Sequence, residues 1–190
     1  FLAGHSDVTL GYVAARDPGL RTAIYDAAVT WGTTPSPFDC WLAERGLHTF
    51  DLRFEKAQAT AAALADALAG RDGIRQVIYP GRADHPHHNR AGALFGGQFG
   101  NMLSFEIEGG RDEVNSFVMN AGGIPFAPTL GDVGCTLSHP ASSSHRALTT
   151  EGRAALGISE GYFRLSVGIE PPELVLAELD AALAAVRGES

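Results

Sequence analysis

The stretch YFRLSVGIE, residues 162–170, decides how this chain folds, because it is an apolar run with one arginine inside it. Its aromatic and β-branched residues predict a buried β-strand over residues 162–169. Arg164 cannot be left unpaired in such a strand, since a buried charge without a partner is strongly destabilising. It therefore either pairs with a carboxylate of the protein or faces a cleft, where its planar fork of donors suits a substrate carboxylate. From the residues alone we favour the ion pair.

Helices and strands alternate along the rest of the chain. Helical periodicity and capping residues predict helices over residues 19–29, 38–45, 49–70, 91–95, 111–120 and 172–187. Apolar runs predict strands over residues 8–16, 74–79 and 102–108, extended pieces near 124–126, and a Pro/His loop over 80–90. This interleaved order predicts an α/β or α+β fold.

The helix predicted over residues 49–70 is the clearest element of the chain. Alanine and leucine recur at helical spacing between Ala57 and Leu68, and Gly70 ends the pattern. A helix of this length with so many small residues is typical of one that bridges two packed bodies. We therefore place a domain boundary in its first half.

Composition excludes several classes of protein. The 190 residues are 45% hydrophobic and 19% charged, which excludes wholesale disorder. A net charge of -8 argues against binding to nucleic acid or to anionic membranes. The two cysteines cannot form a disulfide framework, so we expect a reducing, cytoplasmic location. We expect neither a membrane-spanning helix nor an N-terminal signal peptide, because no apolar run is long enough.

The histidines and cysteines are candidates for chemistry, but their contexts are ordinary. His85, His87 and His88 are close in sequence, yet side chains of a proline-containing loop rarely converge on one metal ion. We predict a solvated surface loop and no metal site. Neither Cys40 nor Cys135 has a basic neighbour that would lower its thiol pKa, so both are predicted to be buried, unreactive side chains.

The segment APTLGD, residues 127–132, joins an extended piece to the next part of the chain. Proline, glycine and a β-branched hydroxyl suit a fixed loop that presents backbone donors and acceptors to a ligand. The same residue types also make ordinary structural turns. The sequence slightly favours the ordinary turn.

Eight short motifs occur in order along the chain: FLAGHSDV (1–8), SPFD (36–39), RGLHTF (45–50), YPG (79–81), TLGD (129–132), HPAS (139–142), SH (144–145) and RLSVGIE (164–170). Each motif is weak by itself, but together they are collinear over nearly the whole chain. Taken in this order, they resemble one family of enzymes, those of cysteine and methionine metabolism that use pyridoxal 5'-phosphate (PLP). The family includes cystathionine γ-lyases, cystathionine γ-synthases, methionine γ-lyases and homoserine-ester sulfhydrylases.

The resemblance implies where the cofactor is attached. In the family, a lysine one residue before the position of Phe1 carries PLP as a Schiff base and moves the substrate's protons. The only lysine here, Lys56, lies at a position that the family does not use for this purpose. The resemblance therefore predicts that these residues are the C-terminal half of a longer protein, inert without the other half. It places the cofactor-binding residues upstream of Phe1, with no metal involved.

The resemblance also implies a fold and an assembly. The expected class is α/β, like fold-type I PLP-dependent transferases, with two parts. Residues 1–52 would close a large cofactor domain built on a mostly parallel sheet. Residues 53–190 would form the linking helix and a smaller α+β domain, with an antiparallel sheet covered by helices on one side. Family members form homotetramers built from dimers that share active sites.

For the substrate site, the resemblance reverses the interpretation of Arg164. In the family, the matching arginine clamps the α-carboxylate of the amino-acid substrate. The hydroxyl residue that matches Thr129 and the backbone beside it, at Leu130, assist the clamp. The resemblance thus implies that Arg164, Thr129 and Leu130 bind substrate.

The implied reaction is a γ-elimination that releases a 2-oxo acid, ammonia and a thiol or related leaving group. Family members that handle cystathionine generally carry glutamate where this chain has Pro128, so we expect a smaller or less polar γ-substituent. Thr129 replaces the usual serine, and Gly134 stands where glutamate is common. Two alternatives stay open: a γ-replacement transferase and a non-catalytic homologue.

Overall fold

The structure, a computed structural model, describes residues 1–189 and is built around one antiparallel sheet. Its strands are β1 Ile74–Ile78, β2 Met102–Ile107, β3 Thr136–Ser138 and β4 Tyr162–Ser166. They lie in the order β1-β2-β4-β3, and all three neighbouring pairs are antiparallel. The first five residues of the YFRLSVGIE stretch therefore form an inner strand, β4, which is paired on both edges.

Helices account for most of the remaining regular structure. They are α1 Pro18–Trp31, α2 Pro37–Leu47, α3 Phe50–Leu68, α4 His88–Phe95, α5 Arg111–Asn120, α6 Thr150–Ala155 and α7 Pro172–Val186. The first two begin at side-chain caps followed by proline: the Asp17 carboxylate accepts from the Leu20 N–H at 2.7 Å, and the Ser36 hydroxyl from the Asp39 N–H at 3.1 Å. Local sequence thus fixes where these helices start.

The hydrophobic core lies on one face of the sheet. Alternation along β4 directs Phe163 and Leu165 to this face, where both are fully buried. The Phe163 ring lies 5.5 Å from that of Phe105 in β2 and 4.9 Å from that of Phe117 in α5. Helices α3, α5 and α7 supply the other side of the core. The expected antiparallel sheet with helices on one side is therefore found.

The opposite face of the sheet is polar. Ser104 of β2, Arg164 of β4 and Ser138 of β3 stand in one row across it. Thr136 and Ser166 are register partners in the adjacent row. Since strand residues alternate between faces, burying Phe163 and Leu165 forces Arg164 onto this polar side.

The strand predicted over residues 8–16 is wrong. Residues 7–15 have no regular secondary structure, and Tyr12 and Val13 are exposed. Helix α1 buries none of its residues. An apolar run forms a strand only where a neighbouring strand hydrogen-bonds to its backbone. Within residues 1–189, no strand pairs with this segment.

Other predicted elements need smaller corrections. Helix α4 begins at His88, three residues earlier than predicted, so the Pro/His loop is shorter. Strand β4 ends at Ser166 rather than at residue 169. The short elements β3 and α6 were not predicted, because three to six residues carry too little periodicity. The extended piece near residue 126 is a single parallel bridge between Phe126 and Leu137.

Candidate functional site

Arg164 is half-buried on the polar face of β4, and its guanidinium has no carboxylate partner in the described part of the chain. Its Nε atom is buried and makes no hydrogen bond within residues 1–189. The ion pair that the residues alone favoured is therefore not formed. A half-buried guanidinium with an unused donor is a ready partner for an external carboxylate, because binding restores the hydrogen bond lost on burial.

The loop that contains Thr129 and Leu130 is held against the same polar face by two hydroxyl groups. Thr136 donates from Oγ1 to the carbonyl of Thr129 at 3.2 Å. Ser166 accepts the N–H of Gly131 at 3.2 Å. Because these two hydroxyl residues are register partners, they fix both ends of the loop one row from Arg164. The structure thus brings the three predicted substrate-binding residues to one face.

Within this loop, the side chains of Thr129 and Leu130 remain exposed. Gly131 has φ of +88°, a conformation that favours glycine, and a Cβ there would lie 2.6 Å from the backbone nitrogen of Phe1. The start of the chain therefore lies directly against the loop.

Sequence analysis missed the role of Glu170, at the end of the RLSVGIE motif. Its carboxylate accepts the backbone N–H of Cys135 at 2.6 Å and the thiol of Cys135 at 3.2 Å. The Cys135 sulfur also accepts the N–H of Gly168 at 3.1 Å. These bonds join the start of β3 to the segment after β4. A carboxylate four residues after a strand gives no local signal of such a partner.

The two cysteines have opposite environments. Cys135 is buried as predicted, and desolvation, with the Glu170 charge adding to it, raises the pKa of its thiol to about 12. Cys40 is exposed, so the prediction that it is buried is wrong. It lies in α2, whose only buried residue is Gly46.

Alkylation should separate these thiols. Iodoacetamide at about pH 8 should modify Cys40 readily and Cys135 only after unfolding, because the thiolate is the reactive form. Peptide mass spectrometry checks this, and modification of both cysteines at equal rates in the native protein would contradict it. The folded thiol keeps its proton up to about pH 12, whereas the unfolded thiol loses it above its ordinary pKa of 9.0. Cys135 therefore lowers the free energy of unfolding as pH rises through that range.

His139, the first residue of the HPAS motif, is a buried polar side chain to which sequence analysis assigned no role. Its ring nitrogens contact the Ser142 hydroxyl at 2.9 Å and the Glu160 carbonyl at 2.7 Å. Burial is the main cause that lowers the pKa of this imidazole below its usual value. Its ring packs 5.2 Å from that of Phe163. His139 therefore links the 3-10 turn Pro140–Ser142 to Glu160, which lies just before β4.

The three histidines of the Pro/His loop do not converge with other potential ligands on one point in the described residues. His88 lies against the Phe99 ring and contacts the Pro80 carbonyl at 2.9 Å, while His87 is exposed. No cluster of three potential metal-ligating side chains occurs in the described residues. Over the same part of the chain, no helix combines the length and the apolarity needed to cross a bilayer.

Comparison with known proteins links this arrangement to one family. The model of the Cys/Met metabolism PLP-dependent enzymes matches residues 1–184. Cystathionine beta-lyase MetC of Bacillus subtilis is 39% identical over 183 residues, which is 96% of this chain and 46% of that protein. Cystathionine gamma-synthase of Escherichia coli is 37% identical over 180 residues, 95% of this chain and 46% of that protein.

A solved structure agrees. The crystal structure of cystathionine gamma synthase from Xanthomonas oryzae pv. oryzae in complex with cystathionine superposes with a TM-score of 0.87 at 44% identity, covering 100% of this chain and 49% of that one. The chain spans about half the length of the relatives it matches and corresponds to their C-terminal half. It belongs to the Cys/Met-metabolism family of PLP-dependent enzymes.

Proposed function

We propose that the protein containing this chain catalyses a PLP-dependent γ-elimination on a sulfur-containing or related γ-substituted amino acid. The overall reaction consumes water and yields a 2-oxo acid, ammonia and the protonated leaving group, for example a thiol. The observation that carries this proposal is the unpaired guanidinium of Arg164, because it offers a carboxylate site on the face where the Thr129 loop is anchored.

The residues of this chain fit the amino-acid side of such a site. PLP, when bound, acts as an electron sink for charge that develops on the substrate. The residues that would hold it are expected upstream of Phe1, and its anchoring lysine directly before Phe1. The contact between Phe1 and Gly131 fits that expectation, since it brings the chain to the Thr129 loop.

Arg164 would bind the α-carboxylate of the substrate through two parallel N–H···O bonds. The hydroxyl of Thr129 and the backbone at Leu130 would complete the carboxylate pocket. A carboxylate fixed in this way fixes the direction of the Cα–H bond, which lowers the entropic part of the barrier to proton removal. The contribution of this chain is therefore binding and orientation.

The nature of the substrate is argued from Pro128. A proline carries no charge to meet the second amino group of cystathionine, and Pro128 is exposed on the loop that leads to Thr129. We therefore propose a substrate with a smaller or less polar γ-substituent, as in methionine-type lyases.

The second candidate is a γ-replacement transferase, favoured by the relatives that are named synthases or sulfhydrylases. The two reactions differ in whether an external thiol adds to the activated substrate before a 2-oxo acid is released. Release of 2-oxo acid should therefore be measured with and without added thiol. Release without thiol supports the lyase, and thioether formation at its expense supports the transferase.

A non-catalytic homologue is the third possibility. Full-length protein that binds PLP and turns yellow contradicts it, whereas colourless protein that binds no PLP contradicts the proposed function.

For the whole protein we propose a homotetramer of dimers in the cytoplasm, with a large cofactor domain that ends near residue 52 and a small domain over residues 53–190.

The hydroxyl pair that anchors the loop provides a further prediction. Ser166→Ala should raise KM for the amino acid about three- to tenfold with little change in overall stability, because one hydrogen bond to the loop is lost. Thr136→Val should do the same at the other end of the loop, and Thr136→Ser should restore the KM. Ser116→Ala, in helix α5, is the matched control. Steady-state kinetics check the prediction, and an unchanged KM in both loop variants would contradict it.

A further inference from the structure

Arg53, in the first turn of α3, forms hydrogen bonds with the first two residues of the chain. Its Nη1 donates to the carbonyl of Phe1 at 3.1 Å, and its Nη2 to the carbonyl of Leu2 at 3.0 Å. The same Nη2 donates to the carbonyl of Gly46 at 2.8 Å, and Nε to the hydroxyl of Thr49 at 3.1 Å. One guanidinium thus joins segments more than fifty residues apart.

The surrounding backbone is packed around this contact. Gly4 has φ of +74°, and a Cβ there would collide with the Arg53 guanidinium. A Cβ at Gly46 would collide with the carbonyl of Ala3. The ring of Phe1 packs edge-on against that of Phe54, with centroids 6.5 Å apart. Glycine at positions 4 and 46 is what lets the segment approach Arg53.

All the acceptors of Arg53 are neutral, and within residues 1–189 it forms no ion pair with a carboxylate. Its charge therefore strengthens four hydrogen bonds instead of being neutralised. Lysine could not reproduce this contact, because a compact ammonium group lacks the planar fork that reaches several carbonyls at once. The geometry is typical of a group that fixes backbone position.

We propose that Arg53 is a positioning residue that holds the cofactor lysine in place by fixing the carbonyls of Phe1 and Leu2. This inference rests on the proposed function, since it requires that lysine to precede Phe1. Phe1 also contacts Gly131, so the hydrogen bonds from Arg53 set the distance between the lysine and the Thr129 loop. Arg53 acts on the cofactor side of the site, whereas Arg164 acts on the substrate carboxylate.

The test uses the full-length protein and two readouts that do not depend on turnover. The first is the equilibrium dissociation constant of PLP. The second is deuterium uptake of the apo-protein in the peptide that contains residues 1–4. Arg53→Met should weaken PLP binding about tenfold or more and raise uptake in that peptide, as expected when a group that positions a ligand is lost. Arg53→Lys should rescue little of either effect.

Arg71→Met is the matched control, because Arg71 follows α3 and forms an exposed ion pair with Asp180 at 2.9 Å. It should leave both readouts unchanged. If Arg53→Met proves unstable, the same two measurements are made on Arg53→Lys, since lysine keeps the charge and about the same side-chain length. PLP affinity and uptake that match those of the unaltered protein in Arg53→Lys would overturn the role of Arg53 while the proposed function stands.

Borohydride trapping tests whether the proposed function itself fails, separately from the role of Arg53. In the unaltered protein, reduction should attach PLP irreversibly to the lysine before Phe1, as found by peptide mass spectrometry. Attachment at another residue, or none, would overturn both the proposed function and the inference about Arg53.

Discussion

Replacing Arg164 with alanine should raise KM for the amino-acid substrate by about two orders of magnitude or more. The variant leaves the substrate carboxylate facing a partly desolvated site without its cation, and breaking such a pair costs about 3 kcal/mol or more. PLP binding should stay within about twofold of the unaltered protein, because the proposed partner of this guanidinium is the substrate carboxylate and not the cofactor. Steady-state kinetics and PLP titration of the full-length protein measure both quantities.

Two further variants serve as controls for this result. Arg164→Lys should recover only part of the lost affinity, since a single ammonium cannot make two parallel bonds to a carboxylate. Arg90→Ala removes an exposed arginine of α4 and should leave KM unchanged. An unaltered KM in Arg164→Ala would refute its assignment as the carboxylate clamp.

Replacing Phe163 with alanine should lower the free energy of unfolding by about 3–5 kcal/mol, the largest stability effect that we expect. Its ring is fully buried and packs against Phe105, Phe117 and His139, so truncation removes apolar contacts to both β2 and α5. Urea unfolding followed by circular dichroism measures the change.

The matched controls for this prediction lie at the same position and on the same strand. Phe163→Leu should cost clearly less than Phe163→Ala, because it keeps most of the buried volume. Arg164→Ala, one residue along the strand but on its opposite face, should change stability far less. A loss below about 1 kcal/mol in Phe163→Ala would contradict the packing described above.

The helices were largely predictable because their signals are local. Capping side chains and proline mark the starts of α1 and α2, and spaced alanine and leucine mark α3. A strand needs a partner that the local sequence does not name. For this reason the apolar run over residues 8–16 predicts a strand by its composition, although no other segment of residues 1–189 pairs with it.

Some residues of the candidate site could likewise be predicted from the sequence, and others could not. Motif order led to Arg164, Thr129 and Leu130, but residue types alone favoured an ion pair that is not formed within residues 1–189. Neither Arg53 nor Glu170 could be found by pattern, because their partners lie tens of residues away in the chain.

The sequence by itself determined the helices other than α6, the family and the placement of Arg164 on a strand between two core residues. These depend on spacing, capping and motif order, which are properties of neighbours along the chain. Only the tertiary structure decided that Arg164 has no carboxylate partner among residues 1–189, that Thr136 and Ser166 hold the Thr129 loop, and that Arg53 donates to the carbonyls of Phe1 and Leu2. The physical reason is that hydrogen bonds and ion pairs act over a few ångströms in space, so the fold chooses the partners of each charged or polar group.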